Sequence, residues 1–577
     1  MKIIGINYLH SDASCSLIDN NIVVSAVEEE RYSRIKHYSE FPYKSLEFCL
    51  NNSKISLNDI DYFCFNFNKN YNLFEKIKFT FKNPKIFSRK YFNINVVNKF
   101  NKTANILKEI GVPKSKIKYI PHHLAHMSSA YFFSGFKDAI TFSFDGAGDF
   151  SSVEIFYCNN SEIKLLEKIN FPNSLGLFYQ MITQYLGFKD YGDEFKVMSL
   201  ASYGDLRYVS KLFEIFEINK INKFKIKKKY FNYLKCFDTD NNNGTIRYKD
   251  FFTNDFIELV GFPPRDSKQD LTTEHSHFAA SAQFVFSTIA LNLIKRFEKY
   301  SKNLCITGGC AFNSVFCQVA KKKTNFQNIY VMPNSGDAGG GLGAAQYVNY
   351  LKNKNFENKI LTNIYLGPSF SSDDIKQILN KEQIINILKK NKIQINETSK
   401  LEIKKIAAQK LKEGEIIFWF NGRAEFGPRA LGNRSILANP LVPNIKEKIN
   451  NEIKERESFR PFAPSVINEY KDDYFITHKD MHNFMNFVVD TKENVKNLIP
   501  SVVHINNTAR VQIVSKENNN DFYDLIKEFG KLTGHYVLLN TSLNIQEPIC
   551  NSPEDAIVTF GRSSVKNLFI ENFHLYK

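Results

Sequence analysis

The chain has 577 residues, too many for one compact core and enough for two or three domains. Hydrophobic residues make up 43% and charged residues 24%, with a mean hydropathy of −0.32, which excludes wholesale disorder and a membrane bundle. Lysine and arginine exceed aspartate and glutamate by 76 − 60 = 16, so a polyanionic partner is the first question the charge poses.

Nine scattered cysteines, an odd number with no C-x-x-C pair, fit a reducing compartment and exclude a thiolate zinc site. The N-terminal apolar run is too short for a secretory segment. No stretch approaches the ~20 apolar residues of a spanning helix. The expectation is a cytoplasmic protein with no membrane partner.

From the N-terminus, three strands are predicted at residues 3–7, 13–18 and 22–28, the last two separated by the turn Asp19-Asn20-Asn21. A similar unit follows at 139–144, 152–157 and 163–169, with the glycine-rich stretch DGAGD (145–149) after its first strand. Both read strand, polar loop, strand, turn, strand, the mark of an internal duplication. Each loop lies at the end of a first strand, where backbone N–H groups can receive a phosphate or metal-bound ligand.

An α/β pattern comes next. A helix is predicted at 174–186 from the spacing of Leu175, Phe178, Met181, Ile182 and Tyr185, and a longer one at 277–297. A strand at 303–307 ends in Gly308-Gly309, and a helix begins at Asn313. A strand at 329–332 leads into PNSGDAGGG and another helix, an order that in nucleotide folds faces phosphate. The GDAGGGLG stretch lacks the Lys-Ser/Thr ending of a P-loop and is no clean G-x-G-x-x-G. The basic, aromatic run at 220–235 reads as the solvated face of an insertion in preference to a nucleic-acid surface. Residues 351–358 read as a linker. Beyond 361 a second α/β region has a helix at 401–412 and a buried strand at 416–420 holding the only tryptophan, Trp419.

Within PHHLAH (121–126), His122 and His126 are four apart and share a helix face, so both can point at one ion. Two imidazoles with one or two carboxylates suit Zn, Fe or Mn, and Asp145 and Asp337 are the candidate carboxylates. His10 ends the first strand, where an imidazole can take a hydroxyl proton near neutral pH or simply hydrogen-bond its loop. The C-terminal half carries Arg423, Arg429 and Arg434 in a glycine-punctuated loop (421–435), then Lys454, Arg456 and Arg460. Guanidinium groups bind phosphate bidentately, so these clusters point to phosphorylated substrates. The stretches 507–512 and 538–542 are placed to complete that pocket.

The blocks GINYLHSDAS, VEEERYSRIKH, HHLAH, SFDGAGD, FKVMSLASYG, GGCAFNS, PNSGDAGGGLGAA, EFGPRALGNRSILANP and FRPFAPS follow one another in this order. Together they resemble the O-carbamoyltransferases of nodulation and of antibiotic biosynthesis, the tobramycin and cephamycin enzymes among them. The resemblance covers nearly the whole chain.

It implies an α/β protein. A duplicated Kae1-like domain of the actin/Hsp70/sugar-kinase type (1–355) is followed by a YrdC-like α/β domain (360–577). The implied activity is ATP- and carbamoyl-phosphate-dependent O-carbamoylation. The YrdC-like domain forms carbamoyl-adenylate, and the Kae1-like domain passes the carbamoyl group to a hydroxyl of a sugar, glycoside or natural product. The implied cofactor is a divalent metal of the Fe(II) kind held by His122, His126, Asp145 and Asp337, with ATP and Mg as co-substrate. His10 matches the catalytic histidine. Arg429, Lys454, Arg460 and Arg510 match the arginine and lysine positions of the adenylation site, and Lys196, Gly308, Gly309, Asn313, Arg423, Arg456, Ser542 and Asn544 are the further candidates for binding substrate and nucleotide.

Two departures from the family pattern stand out. The stretch after Asn544 is one residue short and lacks a glycine, and Cys310-Ala-Phe312 replaces more aliphatic residues. The alternative implied by the same domain types is a tRNA threonylcarbamoyl-type transferase. The EFGPRALGNRS and FRPFAPS blocks belong to the small-molecule family, so the partners expected are carbamoyl phosphate, ATP and a small hydroxylated acceptor. Nucleic acid is not expected, and a homodimer is the expected assembly.

Overall fold

The computed structural model describes all residues except 85–94, 238, 243, 354, 355 and 483. They form two units, Met1–Glu30 with Ile35–Leu361, and Arg31–Arg34 with Thr362–Lys577. Of the stretch read as a linker, residues 354 and 355 lie outside the described residues, and the helix Asp337–Lys352 reaches into its start.

The first unit is built on two sheets of the same design. Strand β1 (Lys2–Asn7) pairs antiparallel with β2 (Ser14–Asp19), which pairs antiparallel with β3 (Ile22–Glu28). On the other side of β1, β4 (Tyr62–Phe65) and β5 (Ile117–Tyr119) add in parallel, giving the order β3-β2-β1-β4-β5. The second sheet repeats this with β6 (Asp138–Gly148), β7 (Ser151–Asn159) and β8 (Ile163–Asn170), followed by the parallel strands Asn303–Thr307 and Asn328–Val331. A three-strand meander extended by two parallel strands occurs twice, so the duplication read from the sequence is present in the fold.

Glycine sets the closest packing. A Cβ built on Gly5 of β1 would lie 2.1 Å from the Gly341 carbonyl oxygen, so strand and helix meet backbone to backbone. A Cβ on Gly343 would lie 1.9 Å from the Ala125 carbonyl oxygen of the helix His122–Tyr131. The GGGLG run is therefore not the phosphate-facing turn that its order after a strand suggested. It lies inside the helix Asp337–Lys352, where missing side chains allow close approach. The DGAGD stretch also departs from expectation. Strand β6 continues through it to Gly148, and the hairpin turns at Asp149 and Phe150, with φ of 47° and 70°. Positive φ at both turn residues matches the twist of the flanking strands.

The helix Thr273–Lys295 is, among the described residues, the one long and apolar enough to cross a membrane, and 83% of its apolar window is buried inside the fold. In the basic run, Phe224–Ile226 pairs with the preceding strand Phe216–Ile218 as a hairpin that buries Phe224 and Ile226 and exposes Lys225, the alternation of a half-solvated strand.

The second unit is an α/β domain around an eight-stranded mixed sheet. Its order is Gln394–Glu397, Phe573–Tyr576, Asn567–Ile570, Ile417–Phe420, Arg434–Ala438, Val537–Ser542, Ala463–Ile467 and Gln512–Val514. The helices Lys400–Lys412 and Asn520–Thr533 supply Ile403, Leu411, Phe522 and Phe529 to a core that encloses Trp419 and Leu538.

Candidate active site

Pro121 precedes the helix His122–Tyr131, where its missing N–H costs nothing. The helix carries His122 and His126 on one buried face, and their Nε2 atoms stand 3.1 Å apart. Strand β6 delivers Asp145, and the helix Asp337–Lys352 begins with Asp337. From His126 Nε2 the distances are 3.2 Å to Asp145 Oδ2 and 3.4 Å to Asp337 Oδ1. From His122 Nε2 they are 3.6 and 3.5 Å. Ligand atoms about 2.0–2.2 Å from a common ion sit about 3.0–3.5 Å from one another, so the spacing fits a divalent cation. Asp337 Oδ1 is buried and has no hydrogen-bond partner in the fold, a lone-pair position that a cation would satisfy.

The electrostatics agree with that fit. Burial alone would depress the His122 imidazole, yet hydrogen bonding to Asp145 and the charges of Asp337 and Asp145 push it up to about 9. Burial alone would raise Asp145, but its imidazole neighbours hold it well below the usual carboxylate range. Asp337 is lowered as well; burial and Asp145 oppose that shift, and His126, His122 and His10 drive it. Two ionised carboxylates converging on two imidazoles form a cation-seeking cluster.

His10 stands at its edge, with Nδ1 3.7 Å from Asp337 Oδ2 and its ring centroid 5.3 Å from that of His122. Buried Asn7 shapes the loop, its amide donating to the carbonyls of Ser11 and Asp12 at 2.9 and 2.8 Å. His123 turns away to Ser143 Oγ at 2.7 Å, and burial pushes it well below the usual imidazole value. Gly309 donates its N–H to Asp145 Oδ2 at 3.1 Å, and Gly308 beside it has a φ of +90°. Asn313 caps the helix Ser314–Lys323 through the Phe316 N–H and bonds Gln283. Lys196 pairs with Asp193 at 2.9 Å.

The second unit gathers the remaining candidates. Arg429, Arg456 and Arg460 all act on Arg510, which burial and these like charges hold well below the usual guanidinium value. Arg456 is lowered to about 9 by burial and then by Arg460. Arg510 Nε and Arg456 Nη2 are buried without a partner. Such an excess of positive charge is costly unless an anion enters it. Lys454 donates to Ser542 O and Oγ and to Asn544 O and Oδ1, at 2.5–3.3 Å, drawing those three candidates together.

Arg423 differs from these, since it donates to the carbonyls of Gly367 and Leu366. Arg434 donates to the carbonyls of Asn421, Gly422, Asn433 and Pro368 and lies 3.5 Å over the Phe420 ring. Glu425, which the sequence did not single out, accepts the N–H groups of Leu431, Asn433 and Arg434 on one oxygen and so folds the loop that carries Arg429. Also missed was the pair His37 Nδ1–Asp12 Oδ1 at 2.7 Å, although a histidine seven residues beyond Glu30 in VEEERYSRIKH was the available cue.

The first unit, a duplicated sheet design, thus carries a buried two-histidine, two-aspartate centre, and the second, an α/β domain, a cluster of mutually repelling arginines. The chain belongs to the carbamoyltransferase family: the carbamoyltransferase N-terminal model matches residues 2–346 and the C-terminal model residues 408–577. It is 32% identical to the nodulation protein NolNO of Sinorhizobium fredii over 99% of this chain and 79% of that one. It is 33% identical to the nodulation protein NolO of Bradyrhizobium diazoefficiens over 79% of this chain and 78% of that one. An uncharacterised protein of Synechocystis is 33% identical over 100% of this chain and 96% of its own length. The protein is a carbamoyltransferase.

Proposed function

We propose that in its second unit the protein hydrolyses carbamoyl phosphate to carbamate and inorganic phosphate, and that the carbamate oxygen then attacks the α-phosphorus of ATP, forming carbamoyl-adenylate as pyrophosphate leaves. The carbamoyl group then passes to a hydroxyl of a small molecule (a sugar, glycoside or natural product) at the His10/His122/His126/Asp145/Asp337 centre. The observation that carries this reading is the approach of His10 to the cluster, 3.7 Å from Asp337. It sets a base beside a cation site, as acyl transfer to a hydroxyl requires.

In the second unit, Arg429, Arg456, Arg460 and Arg510 offset the negative charge of the phosphoryl centre and of departing pyrophosphate. Mg accompanies ATP. Lys454 holds the Ser542–Asn544 segment against the nucleotide. In the first unit, His10 takes the acceptor's hydroxyl proton as its oxygen attacks the carbamoyl carbon, and AMP leaves with the bonding electrons of the cleaved C–O bond. His122, His126, Asp145 and Asp337 would hold a divalent ion of the Fe(II) kind, which would supply Lewis-acid stabilisation of charge on the carbamoyl oxygen. Use of ATP and nine cysteines outside any disulfide support a cytoplasmic location.

The test is a mass-spectrometric screen of sugars and hydroxylated metabolites with carbamoyl phosphate, ATP, Mg and Fe(II). A mass gain equal to CONH that requires both co-substrates supports the reading. Carbamoylation that proceeds without ATP argues against it.

A further inference from the structure

Strand β6 ends at Gly148, and Gly148 with the turn residue Asp149 grips the first histidine of the cluster from two sides. A Cβ built on Gly148 would lie 2.0 Å from His122 Cδ2, so the His122 ring rests on the bare Gly148 backbone. The Asp149 carboxylate reaches the helix end: Oδ2 accepts the His122 backbone N–H at 2.9 Å and the Asn68 N–H at 2.8 Å. Its carbonyl oxygen accepts from Asn72 Nδ2 at 3.0 Å. The first N–H groups of a helix have no partner within it, and Pro121 offers no capping side chain. The cap therefore comes from a residue 27 positions away in sequence. One carboxylate oxygen joins the β6–β7 turn, the exit of β4 and the leading turn of the histidine helix.

We propose that Asp149 is a positioning residue for the His122/His126/Asp145/Asp337 cluster, setting the direction of the His122 imidazole through the leading N–H of its helix. Anchoring that N–H fixes the backbone from which His122 projects and, one turn later, the backbone of His126. Partners one shell outside a metal site commonly alter affinity by about 10–100-fold when removed. The proposal rests on the reading of this cluster as a cation site.

The test uses the full-length protein and Co(II) alone, followed by visible absorption, with no dependence on turnover. Asp149 has a φ of +47°, a conformation glycine adopts freely, so D149G removes the carboxylate while leaving the turn unstrained. D149N keeps one acceptor oxygen. D149G is expected to bind Co(II) about 10–100-fold more weakly with a displaced ligand-field band, and D149N to stay within about threefold of the parent. Should D149G fail to fold, D149S is measured in its place with the same expectation. A folded D149G, or D149S in its stead, with parental affinity and an unmoved band would overturn the proposal. A parent protein that binds no Co(II), or binds it as tightly after His126→Ala, would instead overturn the cation reading beneath it.

Discussion

The Nε2 atoms of His122 and His126 lie 3.1 Å apart, and His126 Nε2 lies 3.2 Å from Asp145 Oδ2. Two imidazole nitrogens at this distance cannot both present a proton to the other, whereas a shared cation satisfies both. The cluster is thus a site of concentrated, unsettled charge, built by three elements distant in sequence: the helix His122–Tyr131, the end of β6 and the start of the helix Asp337–Lys352.

Gly148→Ala tests how tightly that geometry is held. The added methyl would enter the His122 ring, so the ring must move or β6 must shift. The expected cost is about 1–3 kcal/mol of stability together with loss of bound metal, read by urea unfolding and by metal stoichiometry. An unchanged metal content would show that the ring is free to relax.

His37 gives a pH prediction. Burial lowers its affinity for the proton, but Asp12 at 2.7 Å, aided by Glu30, raises the pKa from 6.5 to about 9. Because the folded value is the higher one, the stabilisation is complete below about 6.5 and is lost as pH rises through about 9. The side chains of the pair are 31% and 27% exposed, and with solvent screening the contribution is about 1–2 kcal/mol. His37→Gln should therefore destabilise the protein by that amount at pH 6.5 and hardly at all at pH 10, as measured by urea midpoints. An equal loss at both values would mean that the histidine acts through packing.

Arg510 is expected to trade stability for function. Its Nε is buried without a partner among like charges, so Arg510→Met should raise stability in anion-free buffer by about 1 kcal/mol. The same change should abolish the stabilisation that ATP or sulfate gives the parent protein. Thermal unfolding with and without each anion measures both effects, and a methionine variant that still gains from the anions would separate Arg510 from the pocket.

Arg434 should behave in the opposite way. Its guanidinium is 1% exposed and donates to four backbone carbonyls, so removing it leaves those carbonyls unpaired. Arg434→Ala is expected to cost about 3 kcal/mol or more in denaturant unfolding. A near-neutral effect would contradict its role as an internal brace.

These contrasts mark what the sequence could convey. The HxxxH spacing and the strand–turn–strand repeats were legible because helix and strand periods are local. Asp145 and Asp337 were legible as candidates only because each follows or opens a recognisable element. The GGGLG run is ambiguous in the sequence: glycines in a phosphate loop and glycines in a close-packed helix look alike until the partner backbone, here Gly5 and Ala125, is known. Arg423 and Arg434 could not be told from Arg510, since only tertiary structure decides which guanidinium finds carbonyls and which lies among other arginines. Asp149 was out of reach for the same reason, its partner lying 27 residues earlier.

Activation in the second unit and transfer in the first, as proposed, can be separated by carbamoyl-phosphate-dependent exchange of pyrophosphate into ATP, compared in His126→Ala and Arg510→Met. His126→Ala should retain the exchange while losing bound metal, and Arg510→Met should lose the exchange while keeping the metal. A folded His126→Ala protein without exchange activity, or an Arg510→Met protein with full exchange, would contradict that separation.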